Sequence, residues 1–200
     1  MAGLSALPVG LSGYGSQWDD FGAVVRRIHD GLRARPADTQ WAIVGRLSGR
    51  TLGTVTAADF LFRLERMSWS LTDESYDNGG VGQVLSHYEH GQWVAASEEI
   101  NAADFAVYMS WPSDIGAAYL CLHETAHVTT LGLQTNTLCY DQFIDQGGDP
   151  RYYANSHYWI YNEAIANQIA ATIANDLGYG ILPNPGGGYP LRINRRLAIA

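Results

Sequence analysis

Two hundred residues, 46% hydrophobic and 12% aromatic, suit one domain with a sizeable core and exclude a disordered chain. A formal net charge of −8 with a pI near 5.0 argues against a nucleic-acid partner, which needs clustered Lys and Arg. No apolar run reaches the ~18 residues of a membrane span. The stretch Met1 to Gly15 lacks the basic and apolar regions of a secretory leader, so the expectation is a cytoplasmic protein or one exported by a dedicated machinery.

Taken in chain order, Ser16 is placed to cap a helix from about Trp18 to Arg33, with Pro36 beyond its end. Val24, Val25, Ile28 and Leu32 form its apolar face. Trp41 to Leu47 reads as a short strand. Thr56 with Asp59 resembles an N-cap pair opening a helix through about Trp69, with Leu61, Leu64 and Leu71 at helical spacing. Tyr76 to Gly82 is polar and glycine-rich, hence a loop. Val84 to Tyr88 and Gln92 to Ala96 alternate around Glu89-His90-Gly91, a hairpin pattern. His87 and His90, on or beside that turn, read as surface residues. Phe105 to Trp111 is a further expected strand. Ser113 is a good cap for a helix from about Asp114 to Leu131, with Gly132 as its C-cap. Leu133 to Asn155 reads as a long polar and aromatic loop. Ser156 caps a last helix, His157 to Leu177, closed by Gly178. No repeat is evident. Cys121 reads as a small buried hydrophobe, a disulfide to Cys139 being open.

This alternation predicts an α+β fold, with a small mixed or antiparallel sheet packed on helices. The chemistry concentrates at His123-Glu124-Thr125-Ala126-His127. Residues i and i+4 of a helix share a face, so two imidazoles at this spacing can grip one Zn²⁺. A glutamate one residue past the first histidine can reach a water at that metal. A catalytic zinc takes three protein ligands and keeps one position open. A third histidine six residues past His127 would fall at Leu133, and the glycine of that longer motif at Thr130, so the metzincin pattern is excluded. The remaining candidates are Glu163, the sole glutamate after Glu124, then His157, Asp141, Asp145 and Asp149.

HExxH on one helix followed by Asn162-Glu163 and Asn167 on a later one resembles the thermolysin-like gluzincin metallopeptidases over about 55 residues. The resemblance implies a zincin-like domain over 1–200, with a metal-binding core at about 104–178 and a tail at 179–200. It implies His123, His127 and Glu163 as zinc ligands, with Asn167 steadying His123. The chain departs in carrying Asn167 where thermolysin has Asp, an uncharged support. The implied activity is zinc-dependent hydrolysis of amide bonds in a protein or peptide substrate, with Glu124 as general base. Such enzymes add an oxyanion contact, for which Tyr152, Tyr153, His157, Tyr189 and Arg192 are candidates. Tyr153 lies at the interval before the third ligand seen in thermolysin. The resemblance also implies substrate binding along an edge strand, for which Phe105 to Trp111 is the candidate. A zinc amidohydrolase acting on peptidoglycan shares the same machinery. A non-catalytic binding domain on this scaffold would not need Glu124.

Overall fold

The computed structural model describes residues 3–44, 51–74 and 82–180, without the Ser113 side chain. The expected strand's end at Leu47, the Tyr76 loop and the tail with Tyr189 and Arg192 lie outside the described residues. The fold is α+β: a four-stranded sheet, a separate two-stranded one, and helices packed against them.

After a 3₁₀ turn at Val9–Tyr14, helix α1 runs Gly15–Arg33. Phe21, Val24, Val25, Ile28 and Leu32 recur at helical spacing, and all are at most 2% exposed. Each such burial is worth roughly 1.5–3 kcal/mol, which is what holds α1 to the core. Ser16 lies inside the helix and does not cap it, because the chain enters α1 already coiled from the 3₁₀ turn. β2 (Gln40–Val44) pairs antiparallel with β3 (Thr51–Thr56). Thr56 caps α2 (Ala57–Leu64) as expected, its hydroxyl accepting from the Asp59 amide at 3.0 Å.

That helix stops at Leu64, well short of Trp69. Met67–Thr72 is strand β4, with Met67, Trp69 and Leu71 turned inward and alternate residues outward. The period-2 pattern of Met-Ser-Trp-Ser-Leu-Thr overrides the chance helical spacing of Leu71 from Leu61 and Leu64. The larger sheet runs β1–β4–β6–β5. β1 (Gly3–Leu4) is parallel to β4, β4 is parallel to β6 (Gln92–Asn101), and β5 (Gly82–Glu89) closes the edge antiparallel to β6. The β5–β6 hairpin turns at the expected place. His90 (φ 50°) and Gly91 (φ 77°) are both left-handed, which suits the right-handed twist of the strands they join. His87 and His90 are exposed, as expected.

The expected strand Phe105 to Trp111 is instead mostly helical. α3 spans Ala102–Met109, and the Asn101 side chain caps it by accepting from the amides of Ala103 and Asp104. Ala102, Phe105 and Tyr108 are buried at three-residue intervals, a helical period. Phe105 joins the aromatic heart of the core, where Phe21 lies 5.5 Å from Trp18, 5.4 Å from Trp69 and 5.7 Å from Phe105.

Helix α4 (Ile115–His127) begins at Asp114, which is left-handed at φ 60° and ion-paired with Arg27. The helix ends at His127, not Leu131. Thr129 then caps α5 (Thr130–Asp145), accepting from the Gly132 amide at 3.1 Å. Gly132 is therefore no C-cap. A Cβ there would lie 2.1 Å from the Ala126 carbonyl oxygen, so glycine is what lets α5 start against the end of α4. Most of the expected 133–155 loop is α5, followed by a 3₁₀ turn at Pro150–Asn155. Ser156 caps α6 (His157–Asp176) through the Trp159 amide, with Gly178 (φ 83°) just beyond, both as expected. Cys121 and Cys139 are buried and unbridged.

Candidate metal centre

α4 is the central helix: every residue from Gly116 to Ala126 is buried. His123 and Glu124 are each 8% exposed, and His127 ends the helix half-buried. α6 packs along α4 and brings Glu163 and Asn167, four residues apart, onto the same side as the histidines.

The Nε2 atoms of His123 and His127 stand 3.2 Å apart. Glu163 Oε2 lies 3.2 Å from His123 Nε2, and its Oε1 lies 3.4 Å from His127 Nε2. The two imidazole nitrogens and the two oxygens of the Glu163 carboxylate thus converge, each oxygen within 3.2–3.4 Å of one nitrogen. Zn–N and Zn–O bonds of about 2.0–2.1 Å at tetrahedral angles require ligand atoms about 3.3–3.4 Å apart. The side chains present therefore fit a zinc ion. Glu124 stands just behind, its Oε1 4.0 Å from His123 Nε2, and the potential ligand atoms of His123, Glu124 and His127 all lie within 4.8 Å of one another.

The electrostatics follow from burial and crowding. Burial opposes ionisation of Glu163, but the His127 charge and hydrogen bonds from both histidines hold its carboxyl well below the usual carboxylate range. Burial lowers His127, yet the Glu163 charge and hydrogen bond outweigh it and push the imidazole up to about 9. Burial raises the Glu124 carboxyl; His123 and His127 pull it down and Glu163 pushes it up, leaving it raised. A raised carboxyl is a better proton acceptor near neutral pH than an ordinary glutamate.

Asn167 does not contact His123 directly. The Tyr119 hydroxyl stands between them, 3.2 Å from His123 Nδ1 and hydrogen-bonded to Asn167 Oδ1. Tyr119 precedes His123 by four residues, so helical spacing could have flagged it. A second residue missed from the sequence is Glu98 on β6. It is wholly buried, with neither carboxyl oxygen hydrogen-bonded. Burial, then the charges of Glu124 and Glu163, raise its carboxyl well above the ordinary value.

The Tyr153 hydroxyl is engaged by Asn136, at 3.1 Å from Oδ1, and burial raises its pKa. The ring stacked on His127 is that of Trp159, at 6.4 Å and 10° between planes, with Tyr153 edge-on behind it at 5.8 Å. Tyr153 thus supports a ring on the candidate metal site. Tyr152 is 60% exposed, and His157 is exposed and packed on Tyr158 at 4.0 Å. Of the rival ligands, Asp149 is tied to Arg151, and Asp141 and Asp145 are exposed on α5. Comparisons with protein-family models, curated proteins and solved structures returned no match.

Proposed function

We propose that this chain is a zinc-dependent hydrolase of amide bonds, a metallopeptidase of gluzincin type. The observation that carries the reading is the convergence of His123, His127 and the Glu163 carboxylate, whose N···N and N···O separations of 3.2–3.4 Å suit ligands of tetrahedral zinc. His123 and His127 would hold the ion by Nε2 and Glu163 by its carboxylate. When bound, zinc supplies a Lewis acid that activates water and polarises a carbonyl. Glu124 would accept the proton of the attacking water and return it to the departing amine. Trp159 stacks on His127 and flanks the centre. β5 has β6 on one side and no described strand on the other, so an extended peptide could add there by main-chain hydrogen bonds.

The test combines metal analysis and digestion of a peptide library. The purified protein is expected to hold about one zinc per chain and to cleave peptides. His123→Ala, His127→Ala and Glu163→Ala lose the metal. Glu124→Gln keeps it and loses roughly 10²–10⁴-fold in turnover, because an amide cannot act as a base. Undiminished turnover in Glu124→Gln, or zinc content unaffected by the ligand substitutions, rejects the reading. Cleavage of peptidoglycan cross-links with no peptide cut would move the substrate to the cell wall.

A further inference from the structure

We infer that Tyr119 is a positioning residue for the candidate metal centre: anchored on Asn167, its hydroxyl accepts from His123 Nδ1 and holds the ring with Nε2 turned toward His127 and Glu163. The inference rests on the zinc reading above. A phenol hydroxyl has one proton and can also accept. Asn167 Oδ1 can only accept, so Tyr119 must donate its proton to it. The same oxygen lies 3.2 Å from His123 Nδ1, and with its proton already committed it serves that nitrogen as an acceptor. Nδ1 must therefore bear the hydrogen. With Nδ1 keeping its hydrogen for Tyr119, Nε2, which donates to Glu163 here, is the nitrogen that would give up its proton to a metal. Nε2 is the atom facing His127 and Glu163.

The orientation is fixed by packing as well. Tyr119 is 1% exposed, its ring lies 5.4 Å from the His123 ring at 27°, and Tyr108 stacks on its far side at 6.2 Å and 11°. The ring thus has little freedom to swing its hydroxyl away. Asn167 acts on His123 through Tyr119, and removing either should remove the same effect. Loss of a second-sphere partner of a metal-binding histidine typically costs 10–100-fold in metal affinity.

Two measurements on the full chain test this. Zinc affinity is measured by competition with a chromophoric chelator. Tyr119→Phe, which keeps the ring and removes only the hydroxyl, is expected to weaken binding roughly 10–100-fold. Asn167→Ala should do the same, and the double variant should be no weaker than either. Asn167→Asp, whose carboxylate also only accepts, should retain affinity. Long-range ¹H–¹⁵N spectra of the metal-free protein at alkaline pH then read the tautomer without zinc. Wild type should show His123 protonated at Nδ1, and Tyr119→Phe a mixture. Affinity within twofold of wild type in Tyr119→Phe, multiplicative losses in the double variant, or a His123 Nδ1 without a proton in wild type overturns the inference. A wild-type chain with the Nδ1 tautomer but no zinc binding would overturn the zinc reading instead.

Discussion

A carboxyl group removed from water with no hydrogen-bond donor is stable only in its neutral form, and Glu98 is such a group. Its folded pKa lies well above its unfolded value, so the folded chain binds the extra proton. Stability therefore suffers no penalty below about pH 4.3, the unfolded pKa, and falls as pH rises toward the raised folded value. In metal-free protein, Glu98→Gln should raise the thermal midpoint at pH 8 while leaving it nearly unchanged at pH 4.5. Parallel midpoints across that range would refute the assignment. The same residue marks where reading the sequence stops. Ser97-Glu98-Glu99 looks like a solvated run, and only the pairing of β6 with both β4 and β5 shows that Glu98 falls in register with buried Trp69. His123, Glu124 and His127 were legible because their relation is a covalent spacing on one helix. Glu163 and Asn167 were legible for the same reason, four apart on another. Tyr119 has the same spacing from His123, but an aromatic on a buried helix reads as core.

At the level of elements, the boundaries misread from sequence share a cause. A five-residue junction occurs twice: Thr56-Ala57-Ala58-Asp59-Phe60 and Asn101-Ala102-Ala103-Asp104-Phe105. Each ends a strand, caps the helix that follows through its first side chain, and buries its Phe completely. Reading the first as a cap and the second as a strand missed that identity. At the α4–α5 corner, glycine reads as a stop by propensity, whereas here it permits close approach. The Asp59 carboxylate also holds the start of α5, accepting from the Thr130 amide at 2.8 Å, a tie between elements about seventy residues apart that no local pattern reveals. Gly132→Ala would press a methyl against the backbone carbonyls of Ala126 and His127, which cannot yield as a side-chain tip can. We expect a loss of about 2 kcal/mol or more in urea unfolding, with weaker zinc binding because the end of α4 carries His127. Gly15→Ala, where nothing lies within 4 Å of the added carbon and the backbone is already helical, should be neutral or slightly stabilising. Equal effects at the two positions would argue against the close-approach account.

Across the whole molecule, the proposed metal joins α4 to α6, the most extensive helix pair in the fold. A ligand bound only by the folded state adds about 2.7 kcal/mol at a hundredfold excess over its dissociation constant. For a chain of this size that raises the thermal midpoint by roughly 5–10 °C. The shift should be absent in His127→Ala, and a similar shift in that variant would place the zinc elsewhere. No helix among the described residues is long and apolar enough to cross a membrane. The placement of Glu163 and Asn167 on α6 also has a consequence in time. Synthesis runs from the N-terminus, so the two histidines leave the ribosome well before the carboxylate that converges on them. A nascent chain exposing His123 and His127 lacks both that carboxylate and the Asn167 end of the hydroxyl bridge. The proposed centre therefore assembles only when α6 docks onto α4, and a nascent chain that has not yet released α6 carries no finished site.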